Sequence, residues 1–240
     1  MSYSIKSELR VAIIVLAAGS GSRFGHSTNK VWLPLSGKRI ISHSLINAVS
    51  SFDHCRTILV INSNEEELAR EVLLNEVPNI GIELVEGGET RHESEYNALM
   101  YLESEIKDGR INVVLIHDGA RPLASKALFR EIADTALRFG GALPAINVEP
   151  LELELVTERK VVRVQTPQAF RAKELLVAYQ KAKMEDFTGT DTAACMERYF
   201  PEVESIAVEG EVNNIKVTYP QDLTIAEHLI QVAPMQIGLE

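Results

Sequence analysis

Gly19, Gly21 and Gly25 fall within seven residues, Arg23 lies among them, and Lys30 follows shortly after. Glycines at that density leave backbone N–H groups open to an approaching anion, and the two cations add fixed positive charge in the same stretch. A flexible loop needs the glycines alone; a phosphate cradle needs both. The common phosphate loops do not fit, however. No Gly-Lys-Ser or Gly-Lys-Thr occurs in the chain, so there is no Walker A loop. Phe24 stands where the third glycine of G-x-G-x-x-G would fall. The strand expected at 57–61 ends in Asn62 rather than in the acid that would hold a ribose, which weighs further against a dinucleotide fold.

Other residues carry chemistry beside this stretch. Asp118 follows a buried apolar run and precedes Gly119-Ala120-Arg121-Pro122. A carboxylate at a strand end beside a phosphate cradle is placed to hold Mg2+, which takes oxygen ligands and bridges to substrate phosphates; it could equally cap the loop that follows. Arg23, Lys30 and Lys216 are cations on loops or strand ends. Phosphoryl and nucleotidyl transfer rest on positioning and charge neutralisation, so several cations with a Mg2+ site suffice, and no general base is required when the nucleophile is itself a phosphate. Gly87-Gly88 with Arg91 and Ser94 is either a turn that reads a nucleobase edge or a plain strand-to-helix turn. Thr166 and Thr190-Asp191 are polar loop residues that turn and N-cap roles would also explain.

The elements that must position these groups follow from hydrophobic periodicity. Apolar runs predict strands at 11–18, 57–61, 82–85, 112–116 and 142–148. Helical spacing or capping residues predict helices at about 40–49, 64–75 (with Asn64 and Glu67 as a capping-box start), 92–106 and 125–139. Five strand–helix alternations in a row indicate an α/β fold, a doubly wound and mostly parallel twisted sheet with ligands outside the carboxyl ends of its strands. Arg23, Gly87-Gly88 and Asp118 all fall at such ends, so they are expected to converge. The alternation stops at Glu149. Leu151, Leu153 and Leu155 alternate with polar residues and lead to 161–164, a hairpin pattern with one greasy edge that needs a second surface, plausibly another copy of the chain. Helices at 172–183 and from Asp191 to about 198, a short strand at 213–218 and a closing helix opened by Pro220 complete the reading.

Composition fits this picture. The chain has 240 residues, 45% apolar and 24% charged, which suits one substantial α/β domain over 1–240 with a β-arm at about 149–165. No apolar run reaches the roughly 18 residues that a membrane helix needs. Two isolated cysteines, Cys55 and Cys195, and the lack of a signal pattern indicate a reduced, cytoplasmic protein. Six histidines without metal-ligand spacing argue against zinc. The net charge of −10 argues against general nucleic-acid binding, yet residues 1–40 carry a local balance of +5. An acidic protein with one basic corner on its glycine stretch suits a small anionic ligand.

Taken together, LAAGSGSRFG, Lys30 in NKVWLPLSGK, GGETRHES, HDGARP, QTPQAF, TGTDTA and NNIKVTYPQDL resemble, in order and over nearly the whole chain, the 2-C-methyl-D-erythritol 4-phosphate cytidylyltransferases. Ribitol-5-phosphate cytidylyltransferases are similar throughout. The resemblance implies a three-layer, Rossmann-like nucleotidyltransferase fold with a β-hairpin dimerisation arm, and a homodimer. It also implies that a sugar-alcohol phosphate attacks the α-phosphorus of CTP and displaces pyrophosphate, in isoprenoid precursor synthesis. Ala17, Ala18, Gly19, Ser20, Gly21, Ser22 and Arg23 would then cradle the triphosphate and Lys30 would neutralise the α-phosphate. Gly87, Gly88, Arg91 and Ser94 would serve the base side, and Asp118 would hold Mg2+. Arg121, Thr166, Thr190 and Lys216 would address the acceptor, Lys216 also lying near the reacting centre. Arg159 aligns with an arginine that the family reaches across a dimer interface. The chain departs from the family where Asn29 precedes Lys30, where an Asp-Thr pair is missing from 145–150, and where the arm is shorter. The departures leave open transfer to another polyol phosphate, or a nucleotide-binding regulator with little activity.

Overall fold

The computed structural model describes residues 8–19, 29–78, 80–148 and 161–232. Ser20, Gly21, Ser22, Arg23 and Gly25 of the glycine stretch, and Arg159 with the arm at 149–160, lie outside the described residues. In chain order the elements are β1 (Val11–Leu16), β2 (Pro34–Leu35), β3 (Lys38–Arg39), α1 (Ile40–Val49), β4 (Cys55–Ile61), α2 (Glu66–Glu76), β5 (Ile82–Glu86), α3 (Arg91–Tyr101), α4 (Glu103–Lys107) and β6 (Val113–Asp118). There follow α5 (Lys126–Phe139), β7 (Gly141–Val148), β8 (Val161–Val164), β9 (Gln168–Arg171), α6 (Ala172–Met184), α7 (Thr192–Tyr199), β10 (Ser205–Glu209) and α8 (Pro220–Val232).

One sheet organises these elements, in the order β10-β7-β9-β6-β1-β4-β5 with β8 against β7. β6, β1, β4 and β5 are mutually parallel and β10 is parallel to β7, while β8 and β9 run antiparallel to their neighbours. This is the mostly parallel sheet expected from the alternating pattern. Alternate residues of each central strand feed opposite cores, as a two-residue period requires. Val11, Ile13 and Val15 pack with Ile41, Leu45, Val72, Phe129 and Ile132 of α1, α2 and α5. Ala12 and Ile14 pack with Leu99, Ile106, Leu175 and Tyr179 of α3, α4 and α6. Burial on both faces explains why these strands are continuous apolar runs.

Local chemistry sets the element ends. Ser125 caps α5 through Leu128 N–H, and Gly140 ends it at φ +112°, a backbone state that a side chain would strain. Asp191 caps α7 through Ala194 N–H, and Pro220 opens α8. Three expectations need correction. Asn64 does not cap α2, because a 3-10 turn (Ser63–Glu65) precedes it and no side-chain cap forms. The helix expected at 92–106 divides at Leu102 into α3 and α4. Segment 213–218 is not a strand: Val217 makes one backbone bond to Ala120, and no ladder forms. The edge strand is instead β10, whose pattern was obscured because Val208 is its one buried residue.

Candidate active site

β1 pairs with β4 on one side and β6 on the other, so the chain leaves the sheet in opposite directions at β1 and a crevice opens there. Register makes the three strands finish level: Leu16 stands opposite both Val60 and Asp118. Backbone bonds tie the exits together, from Ala17 N–H to the Val60 carbonyl (2.8 Å), Gly119 to Leu16 (2.9 Å) and Gly87 to Ile61 (2.8 Å). A cavity of about 580 Å3 lies over these ends. Its walls include Ala17, Ala18, Gly19, Lys30, Gly88, Arg91, Ser94, Asp118 and Lys216. Of the strand-end motifs expected to converge, Gly88 and Asp118 both line it, while Arg23 lies outside the described residues.

Asp118 is the electrostatic centre of the cavity. Its side chain is 8% exposed and faces three cations: Arg91 through Nη1, Lys216 Nζ at 2.8 Å and Arg121 Nε at 3.5 Å. Burial pushes this carboxyl up, but the charges of Arg91, Lys216 and Arg121 outweigh it and hold it well below the usual carboxylate range. Even with Glu95 as a second partner of Arg91, three cations leave net positive charge, which is what a polyphosphate needs. The cations are held from outside the cavity. Arg121 donates to the Asn214 carbonyl at 2.7 Å, and Val217, fully buried against Leu35 and Ile40, anchors Lys216.

A second set of bonds fixes Asp118 from behind. Its N–H donates to Thr166 Oγ1 at 3.0 Å, and that hydroxyl lies 3.2 Å from His117 Nδ1. His117 Nε2 is 3.1 Å from the Arg121 carbonyl, which can only accept, so Nε2 carries the hydrogen and Nδ1 accepts from Thr166. Burial moves the His117 imidazole down to about 4. Between pH 6.5 and about 4 the unfolded chain therefore binds a proton here that the folded chain refuses, and stability falls as pH falls through that window. The expected loss is on the order of 3 kcal/mol. Urea midpoints at pH 7 and pH 4.5 measure it, and the His117→Gln variant should show a flatter dependence.

Each expected site residue among the described ones has a definite place. Gly87 is a packing glycine: a Cβ there would stand 2.4 Å from Ala18 Cβ and 3.0 Å from Ser94 Oγ. Ser94 accepts from Gly88 N–H at 3.1 Å and donates to the Thr90 carbonyl at 3.0 Å, so it shapes the turn. Arg121 and Thr166 lie in the wall behind Asp118 rather than on the cavity surface, and Thr190 is exposed away from it. Lys30 begins a 3-10 turn (Lys30–Trp32) seated by buried Val31 and Trp32. Asn29, buried ahead of it, donates to the Ala17 carbonyl at 2.5 Å and to Glu65 at 3.2 Å. Sequence reasoning noted Asn29 only as a departure and Asn62 only as a missing acid, and passed over Thr218 and Glu95. Glu95 is fully buried and accepts from Arg91 Nε at 2.9 Å. Its signal was its position, three, four and seven residues before Ala98, Leu99 and Leu102 on the apolar face of its helix.

A doubly wound sheet with a cation-ringed carboxylate at its switch point defines a nucleotide-dependent transferase. Residues 11–232 match the model of the family IspD, 2-C-methyl-D-erythritol 4-phosphate cytidylyltransferase. A protein of that name from Geobacillus kaustophilus is 37% identical over 226 residues, covering 90% of this chain and 95% of the relative. One from Bacillus mycoides is 35% identical over 229 residues, covering 92% and 97%. The crystal structure of 4-diphosphocytidyl-2C-methyl-D-erythritol synthase from Anaerococcus prevotii superposes with a TM-score of 0.78 at 26% identity, covering 96% of this chain and all of that one. The chain belongs to the 2-C-methyl-D-erythritol 4-phosphate cytidylyltransferase family.

Proposed function

We propose that this chain transfers the CMP moiety of CTP to 2-C-methyl-D-erythritol 4-phosphate, releasing pyrophosphate. The observation that carries the reading is Asp118 ringed by Arg91, Arg121 and Lys216 at the glycine-bearing end of β1. The acceptor phosphate is already ionised, so the protein has charge to neutralise rather than a proton to remove. Lys30 and Lys216 border the same cavity and supply that neutralisation, Lys30 at the α-phosphate and Lys216 at the meeting of donor and acceptor. The stretch from Ala17 to Arg23 receives the triphosphate. Gly87, Gly88 and Ser94 form the turn against which cytosine is read, with Arg91 beside it. Arg121 and Thr166 serve the acceptor phosphate from behind Asp118, by fixing the groups that meet it; the exposed Thr190 is left without a contact to it.

Asp118 is also the group that would hold Mg2+. It is a hard oxygen donor kept ionised by its neighbours. No group of three or more His, Cys, Asp or Glu suited to a metal occurs among the described residues. One carboxylate shared with substrate phosphates and water is how Mg2+ is commonly bound, so the donor set fits. When bound, the ion supplies charge screening on the phosphates.

The same reading makes the protein a cytoplasmic homodimer joined through the arm, with Arg159 of each copy serving the other's site. Val162 and Val164 support it, standing 42% and 36% exposed at the root of the arm on β8. Sedimentation at micromolar concentration is expected to show a dimer, and a monomer would remove the arm from the reading.

Pyrophosphate release tests the activity, with CTP and Mg2+ and with methylerythritol 4-phosphate and ribitol 5-phosphate offered in parallel. Preference for the first is expected. Preference for the second would replace the acceptor, and silence with both would overturn the reading.

A further inference from the structure

Arg91 is shared between two carboxylates of different standing. Nη1 reaches Asp118 in the cavity wall, while Nε reaches Glu95 at 2.9 Å in the core beneath. Glu95 is fully buried, and burial pushes its carboxyl up although Arg91, Tyr179 and Thr192 oppose that. A carboxylate at such depth is retained only where several donors meet it. Three do so from three elements: Arg91 on α3, the Tyr179 hydroxyl on α6 and Thr192 Oγ1 on α7 at 3.2 Å. An apolar side chain could fill this position in the second core, among Ala98, Leu99 and Leu175.

The far end of the network is equally well seated. Thr192 is the first residue of α7, directly after its cap Asp191. Gln168 of β9 holds that helix start, donating to Asp191 Oδ2 at 3.3 Å and accepting from Ala193 N–H at 3.3 Å. Segment 188–191, which carries Thr190, leads into this point. A continuous polar chain thus runs from Asp118 through Arg91 and Glu95 to the start of α7.

We infer that Glu95 is a positioning residue for nucleotidyl transfer: it fixes the Arg91 guanidinium against Asp118 and ties it to the start of α7. The inference rests on the activity proposed above. With Glu95 in place, Arg91 is anchored at Nε and cannot follow the phosphates outward as they enter. Its charge stays at the cavity wall, and Asp118 keeps a fixed partner while Lys216 meets substrate. Without that anchor Arg91 is held from the cavity side alone and its position depends on the ligand.

The test is a double-mutant cycle with Glu95→Gln and Arg91→Gln, read by pyrophosphate release and by calorimetric titration of CTP. Glu95→Gln keeps the shape and a hydrogen-bond acceptor but removes the charge. It is expected to lower kcat about tenfold to a hundredfold, as small misplacements near a reacting centre do, with the KM for CTP changed less than about threefold. In the Arg91→Gln background the same substitution should change kcat less than about twofold, because Glu95 then has no guanidinium to hold. A full, additive loss in that background, or wild-type kcat in Glu95→Gln alone, would overturn the inference. If Glu95→Gln does not fold, Thr192→Val and Tyr179→Phe each remove one donor while leaving the carboxylate. Each should then lower kcat several-fold in the wild-type background and have no effect on Arg91→Gln, and additivity there would again overturn it. A wild-type protein that neither binds CTP nor releases pyrophosphate fails at the activity itself, a result distinct from any pattern among the variants.

Discussion

Lys30→Ala is expected to lower kcat by two to three orders of magnitude while leaving the fold intact, the loss typical of removing one preorganised donor from developing charge. Lys30 borders the cavity at the start of a 3-10 turn whose next two residues, Val31 and Trp32, are 3% and 5% exposed. Asn29 caps that turn and ties it to the Ala17 carbonyl at the end of β1. The lysine is therefore presented by a rigid mount. Truncation beyond Cβ leaves that mount untouched, so the protein should still unfold cooperatively as a folded domain while turnover collapses. Steady-state pyrophosphate release alongside a melting curve separates the two effects. A kcat within tenfold of wild type would place Lys30 away from the reacting phosphorus.

Asp118→Ala should act on stability and catalysis together. Arg121 is 12% exposed at its side chain and Arg91 29%, and both lose a counter-charge that is 8% exposed. Breaking such a buried pair from one side costs several kcal/mol; because Glu95 still faces Arg91, about 3 kcal/mol is expected. Turnover should fall at least a hundredfold. Nucleotide affinity measured without divalent metal should rise, since removing a negative charge from a phosphate site leaves its cations unopposed. Calorimetry with CTP in chelator checks this, and weaker binding would contradict the electrostatic account. The pH dependence has a definite sign. The folded carboxyl titrates well below its unfolded value, so its contribution is complete above about pH 3.9 and is lost as pH falls beneath that. His117 loses its contribution earlier, on the way down from 6.5 to about 4. Acid unfolding of the wild type should therefore begin in the imidazole window and steepen in the carboxylate window, and Asp118→Ala should show a weaker second phase, carried by other paired carboxyls such as Glu76 and Glu83.

The parts legible in the sequence were those where local pattern and final environment agree. β1, β4 and β6 are buried on both faces, so each announced itself as an apolar run, and Asp118 was visible as the polar residue that ends one. Patterns misled where a segment's partners lie far along the chain. Residues 213–218 alternate like a strand, yet their bonds scatter over Ala120, Arg121, Gln165, Thr166 and nearby Glu211 and Asp222 instead of forming a ladder, and their role is to carry Lys216 to Asp118. β10 was invisible because an edge strand with one buried side chain has no hydrophobic period to detect. Glu95 was missed for the opposite reason. Within RHESEY it looks like one more charge on a solvated helix, and only the phase of Ala98, Leu99 and Leu102 places it inside.

The path of the chain between β8 and β9 sets which parts of this protein can change in length. β8 pairs with the far half of β7, from Ala145 to Val148, and β9 with its near end, Gly141 and Ala142, while Gln165 N–H bonds the Pro144 carbonyl between them. One neighbouring strand thus fixes the register on both sides of a three-residue step that holds Thr166 under Asp118. A residue gained or lost before Val161 can be absorbed outside this register. The same change between Val164 and Gln168 would slide Thr166 off the Asp118 amide and turn the inward faces of β8 or β9 outward. Insertion and deletion are therefore confined to the arm side of β8, so the arm can be shortened or extended without moving the wall that holds the reacting groups.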